Sequence, residues 1–202
     1  MIEAAGGVLI GATCLSPFGV GRSGVHSTPA NQSPIHSIYS SECIADGLSA
    51  GAALVVASSF VSFALGKDTC GAGQVPAAYN HLVAIKPGQG IVSTRGFVPG
   101  CRSLECVSLL ATCVSDAASV LDVLVDEDSE DPWSLRPQSP MRFARPFRFG
   151  VPREDQLDFH SDLDAEICFL MAIERLEGLG GICVDVDFSH FQEATLLADS
   201  GA

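Results

Sequence analysis

The feature that most constrains this chain is an apolar run, Ala50 to Leu65, that ends in a glycine-rich loop, GKDTCGAGQVP. The run is shorter than the roughly 20 residues a membrane-spanning helix needs, and Ser58, Ser59 and Ser62 interrupt it. It must be buried inside protein rather than in a bilayer. It predicts a buried helix from Ala50 to about Ser58, then a strand near Phe60 to Leu65. The glycines that follow predict a tight turn. Loops built this way, with Asp-Thr before the glycines and Pro-Ala-Ala after, present a nucleophile beside backbone N–H groups. The central residue here is Ala72, which has no nucleophilic atom.

Around this centre, helical and strand patterns alternate. Ile2 to Gly11 reads as a helix end, a glycine cap and a short buried strand. Ala12 to Asp46, rich in Ser, Pro and Gly, reads as a long functional or disordered loop. Leu82 to Pro87 is a short strand, Pro99 to Leu109 a loop, and Ser115 the cap of a helix running to Leu124. Phe147 to Pro152 is a strand. Leu163 to Leu179 is a helix, with Ile167, Leu170, Met171, Ile173, Leu176 and Leu179 on one apolar face and Gly180-Gly181 as its stop. Ile182 to Phe188 alternates like a strand. The expected class is α/β, a central mixed, mostly parallel sheet flanked by helices.

The formal net charge of −13 argues against nucleic acid or an anionic membrane as partner, since both need a basic face. Five carboxylates fall in Val125 to Asp131, which reads as a solvated acidic linker near 125–140. That run lacks the turn glycines and alternating ligands of a calcium loop. The eight cysteines, Cys14, Cys43, Cys70, Cys101, Cys106, Cys113, Cys168 and Cys183, form no CxxC pair, and the five histidines have no ligand-like spacing. Neither set points to zinc. With no basic, signal-like N-terminus, the thiols are expected to be free in a reducing, cytoplasmic compartment.

The motifs resemble one family. Asp46-Gly47-Leu48-Ser49-Ala50-Gly51-Ala52-Ala53, the following helix and strand, and GKDTCGAGQVPAAYNHLVAIKPGQGIVSTRGF together resemble the amidase signature. That signature is a Gly/Ser-rich loop, a strand ending in GTDTxGSxRxPA, and a GxKPTxGxVSxxG segment. GCRSLECVS and FRFGVPREDQLDF are most similar to the allophanate hydrolase branch, the amidase part of urea amidolyase included. The resemblance implies hydrolysis of an amide C–N bond by a Ser–cis-Ser–Lys triad with no cofactor. In that chemistry a neutral lysine takes a proton through the bridging serine while the second serine attacks the carbonyl, and loop N–H groups hold the oxyanion.

Carried onto this sequence, the nucleophile position is Ala72 and the bridging position is Leu48. Ser49 is offset from the bridging position by one residue. The family lysine belongs upstream of GGVLIGATCLSPF and is expected to be lacking. Lys67 stands where the family has threonine, and Lys86 is the structural lysine of the KPT segment. Gln74 replaces the arginine after the loop. The substrate-contacting tyrosine of the allophanate branch falls at Ala198, and its arginine falls past Ala202. Asp68, Thr69, Gly71 and Gly73 remain as a remnant oxyanion loop. Cys70 is an intrinsically good nucleophile in the right loop, but two residues early and with no evident base. His81 is near it in sequence only.

The expectation is a single partial amidase-like domain over 1–202 that is catalytically inactive. The alternatives are a binding or regulatory pseudo-amidase that pairs with another chain, or a truncated gene product without activity. Sheet edges left uncovered would recruit a protein partner or a second copy.

Overall fold

The structure, a computed structural model, describes residues 1–13, 35–45, 47–98, 100–136 and 144–200, the side chains of Thr195 and 197–200 excepted. Most of the loop expected from Ala12 to Asp46 lies outside these residues, as does the part of the acidic linker from 137 to 140. The chain forms two compact units, Met1–Gln138 and Ser139–Ala202.

The first unit is organised around the apolar run. Helix α1 (Ala50–Ala57) buries Ala50, Gly51, Ala52, Ala53 and Val56, as a helix apolar all round must. After a turn at Ser58–Ser62, strand β3 (Phe63–Asp68) begins, a few residues later than the sequence suggests. Phe60 is left in the turn, 78% exposed. The loop and the short helix α2 (Gln74–Tyr79) lead to strand β4 (Val83–Ile85). A two-stranded hairpin, β1 (His36–Ser37) with β2 (Ser40–Ile44), precedes α1. The hairpin docks on the end of α2: the Ser37 hydroxyl donates to the Tyr79 carbonyl, and the buried Asn80 side chain accepts from the Ile38 N–H.

Several expectations fail in this unit. Pro99 to Leu109 is not all loop: Cys106–Ala111 forms strand β5, buried at every position. It lies between β3 and β4 and pairs antiparallel with both. The expected mostly parallel sheet is therefore a three-stranded antiparallel one. β3 and β4 do run in the same direction, as a strand–helix–strand unit should, but β5 fills the gap between them. Leu110 packs with Ala52, Ala53 and Val56 of α1. Leu109 and Ala111 pack with Ala117 of helix α3 (Val114–Leu124). A strand covered on both faces reads as continuous apolar sequence without alternation.

The second failure is at the N-terminus. A 3-10 turn at Glu3–Ala5 ends on Gly6 at φ +92, as expected of a glycine cap. Val8, Leu9 and Ile10, read as a buried strand, form no strand and are 70–78% exposed. α3 starts one residue before Ser115, with Cys113 as its cap residue and no side-chain cap bond. Ser115 instead sits inside the first turn, where its carbonyl accepts from the Ser119 hydroxyl.

The acidic run is not simply solvated. The Asp131 carboxylate is buried and accepts from the Thr94 N–H at 2.7 Å, the Thr94 hydroxyl at 3.0 Å and the Trp133 N–H at 3.0 Å. Asp128 accepts from the Ser93 hydroxyl, and Arg95 pairs with Asp128 and Glu130. The Trp133 N–H above all, then the Thr94 and Ser93 donors, holds the Asp131 carboxyl below the usual carboxylate range.

In the second unit, strand β6 (Phe147–Pro152) pairs parallel with β7 (Gly181–Val186), connected through helix α4 (Leu163–Gly178). Asp162 caps α4 by accepting from the Ala165 N–H at 3.0 Å. Gly180, at φ +91, turns the chain into β7. Helix α5 (Ser189–Ser200) follows, where no helix was expected. Asp187, two residues before it, accepts from the Ser189 N–H, and this bond and the Gln156 amide hold its carboxyl far below the usual range. None of the described residues of this unit is fully buried.

Candidate functional site

The glycine loop leaves the end of β3 and is held by one carboxylate. Asp68 is fully buried and accepts from the Gly71 N–H at 2.8 Å, the Gly73 N–H at 2.8 Å and the Gln74 N–H at 3.3 Å. Two of the N–H groups of the expected oxyanion loop are thus turned inward. Lys86, at the end of β4, neutralises Asp68 at 3.4 Å. Its ammonium also donates to the carbonyls of Asp68, Thr69 and Leu104. The Thr69 hydroxyl is buried, with no hydrogen-bond partner among the described residues.

Gly73 has a steric reason. A Cβ there would lie 2.6 Å from the Ser108 hydroxyl and 2.8 Å from the Ser108 Cβ. The loop therefore rests on the middle of β5, and only a residue without a side chain lets it come so close.

The two expected catalytic positions are brought together. The Ser49 N–H donates to the Ala72 carbonyl at 3.2 Å, which sets the Gly47–Ser49 turn against the loop. Leu48 is 3% exposed and Ala72 9%. Both are packed hydrocarbon where the resemblance calls for hydroxyls. Ser49 does not substitute for either: its hydroxyl donates to the Lys67 carbonyl at 2.9 Å and accepts from the Lys67 N–H at 3.1 Å. It ties α1 to β3.

Neither lysine is a free base. Lys67 is buried, pairs with Glu105 at 2.5 Å, donates to the Val98 carbonyl at 2.8 Å and lies 5.9 Å from the Phe97 ring centre. Lys86 is committed to the loop. Cys70 is exposed. His81 stands edge-on to Tyr39, with ring centres 6.4 Å apart. Cys106, paired with Asp68 across the ladder, has its thiol pushed up by burial, against the pull of Lys86. Among the described residues no group of His, Cys, Asp and Glu could hold a metal ion, and no helix is long and apolar enough to cross a membrane. The backbone at Ala198 lies in α5, but its side chain is outside the description.

Sequence reasoning missed the Lys67–Glu105 pair, Ser108 and the Asp131 anchor. Lys67 and Glu105 lie far apart in the sequence, and only the β3–β5 register (Asp68 opposite Cys106) brings them together.

A strand delivering a glycine loop onto a buried aspartate, clamped by the lysine of the next strand, is the frame of an amidase. The chain belongs to the amidase family, whose sequence pattern matches residues 1–198. It is 34% identical over 196 residues to the urea amidolyase of Saccharomyces cerevisiae, covering 96% of this chain and 10% of that protein. Among solved structures, urea amidolyase of K. lactis superposes with a TM-score of 0.87 at 34% identity, over 98% of this chain and 12% of that one. Kluyveromyces lactis allophanate hydrolase superposes at 0.83 and 34% identity, over 93% of this chain and 30% of that one. The chain thus spans about a tenth of the urea amidolyases it matches.

Proposed function

We propose that this chain is an allophanate-hydrolase-like amidase that has lost covalent amide hydrolysis and keeps the loop as scaffold. The observation that carries this is the packing of Ala72 beside the Leu48 turn. Acyl transfer needs a lone pair at the first position and a proton relay at the second, and hydrocarbon supplies neither. The described lysines are both engaged elsewhere, so neither is poised to act as a base toward Cys70. Oxyanion-type stabilisation alone leaves on the order of 10³–10⁴ over water, and here the Gly71 and Gly73 N–H groups already serve Asp68. We take the two compact units as parts of one amidase domain, because the family match runs through both.

The test is ammonia release from allophanate and from acetamide by the purified chain. The expected result is none above the buffer blank. Turnover that follows the protein through purification and survives Cys70→Ala overturns the proposal. Turnover abolished by Cys70→Ala overturns it as well and makes that thiol the nucleophile.

One observation favours a second reading, a pseudo-amidase that pairs with another chain. Among the described residues, the outer edges of β3 and β4 and of the β6–β7 pair carry no ladder partner. Open edges of this kind template a further strand.

A further inference from the structure

We infer that the outer face of α4 is a docking surface for a protein whose contact face has an apolar centre and a basic rim. α4 carries two apolar faces. The inner one, Phe169 and Ile173, is half-buried, with the Phe169 ring tilted against Phe159 at 5.5 Å between centres. The outer one is Leu163, Ile167, Leu170 and Met171, at i, i+4, i+7 and i+8, and these side chains are 70%, 54%, 52% and 44% exposed. A helix facing only water on that side would carry polar residues there. Four large apolar side chains on one stripe form the kind of patch that marks an interface.

The charges around the stripe say what kind of partner fits. Glu174 continues it, Glu166 and Asp164 flank it, and Glu177 follows on the Glu166 side, all exposed. The one basic residue of α4, Arg175, follows Met171 by one turn on the Asp164 side, so four carboxylates and one guanidinium surround the stripe and the rim is net acidic. A lipid surface or nucleic acid would bring further negative charge against these carboxylates. A second copy would do the same, because two-fold pairing sets each acidic rim against its mate. A partner with lysines or arginines around an apolar knob gains from both the burial and the charge. The inference rests on the second reading only in requiring another chain. It concerns a face separate from the strand edges and is independent of whether the loop hydrolyses an amide.

The probe is a short amphipathic Leu/Lys helical peptide, titrated by fluorescence anisotropy against the full chain, with a Leu/Glu peptide of the same pattern beside it. The Leu/Lys peptide should bind and the Leu/Glu peptide should not. Ile167→Ser with Leu170→Ser should weaken binding about tenfold or more, as truncated interface anchors do. Glu166→Lys with Glu174→Lys should do the same at exposed positions that leave the fold alone, so the test survives if the apolar variant unfolds. Asp126→Lys with Glu127→Lys makes the same change of charge on an exposed part of the first unit and should leave binding unchanged. No binding, equal binding of both peptides, or wild-type binding by both α4 variants overturns the inference. So does a dimer, seen by light scattering, that the α4 variants disperse.

Discussion

Asp68→Ala tests whether the loop is held as described. The substitution removes the carboxylate that accepts from three backbone N–H groups, those of Gly71, Gly73 and Gln74. It also leaves the Lys86 ammonium without its carboxylate. A hydrogen bond to a charged group contributes about 1.5–3 kcal/mol, and losing one partner of a buried ion pair costs about 3–5 kcal/mol. These losses are one event and do not add. Lys86 keeps three carbonyl acceptors and is itself a quarter exposed, which places the sum toward the lower end. The expected cost is about 3–4 kcal/mol. With a urea m-value of about 2 kcal/mol/M, the unfolding midpoint should fall by about 1.5–2 M. Lys86→Met should cost less, and the double variant should fall short of the sum of the two, since the pair shares one interaction. Urea melts followed by circular dichroism measure all three. A loss under about 1 kcal/mol for Asp68→Ala, the worth of a solvent-exposed pair, would refute the claim that this carboxylate organises the loop.

Gly73→Ala should destabilise the fold by about 1–3 kcal/mol, the usual cost of overpacking a closed site. Gly178→Ala, where an added Cβ meets nothing within 4 Å, should be neutral or slightly stabilising in the same melts. Because the folded-state carboxyl of Asp131 is held below its ordinary value, its contribution is present above about pH 4 and is lost as pH falls through the lower folded-state value. Asp131→Asn should therefore be less stable at pH 6, with a shallower loss of stability between pH 5 and pH 2; an unchanged slope would show that Asp131 is not the group responsible. Ala72→Ser combined with Leu48→Ser should not generate amide turnover, because Lys67 and Lys86 are held by Glu105 and by the loop. Ammonia release by that double variant would show that a base is within reach.

What the sequence determined by itself were the features that depend on near neighbours along the chain. An apolar run too short for a bilayer could only be a buried helix and strand, and α1 and β3 are that. The spacing of Ile167, Leu170, Met171 and Ile173 is helical whatever surrounds it, and Gly180 stops α4 for a local reason. The amidase motifs were legible in the same way, since motif identity is a matter of order and spacing.

Tertiary structure alone decided the rest. β5 was hidden because a strand covered on both faces loses the alternation that reveals strands, and its place between β3 and β4 is a choice of partner across the chain. That choice made the sheet antiparallel, brought Ser108 under Gly73 and joined Lys67 to Glu105. Asp131 was indistinguishable from its acidic neighbours until Thr94 and the Trp133 N–H came within hydrogen-bonding distance. α4 read as having one apolar face, yet the packed side is Phe169 and Ile173 while Leu163, Ile167, Leu170 and Met171 stay open. Periodicity records which residues are apolar, but which of them meet another surface depends on elements far away in sequence.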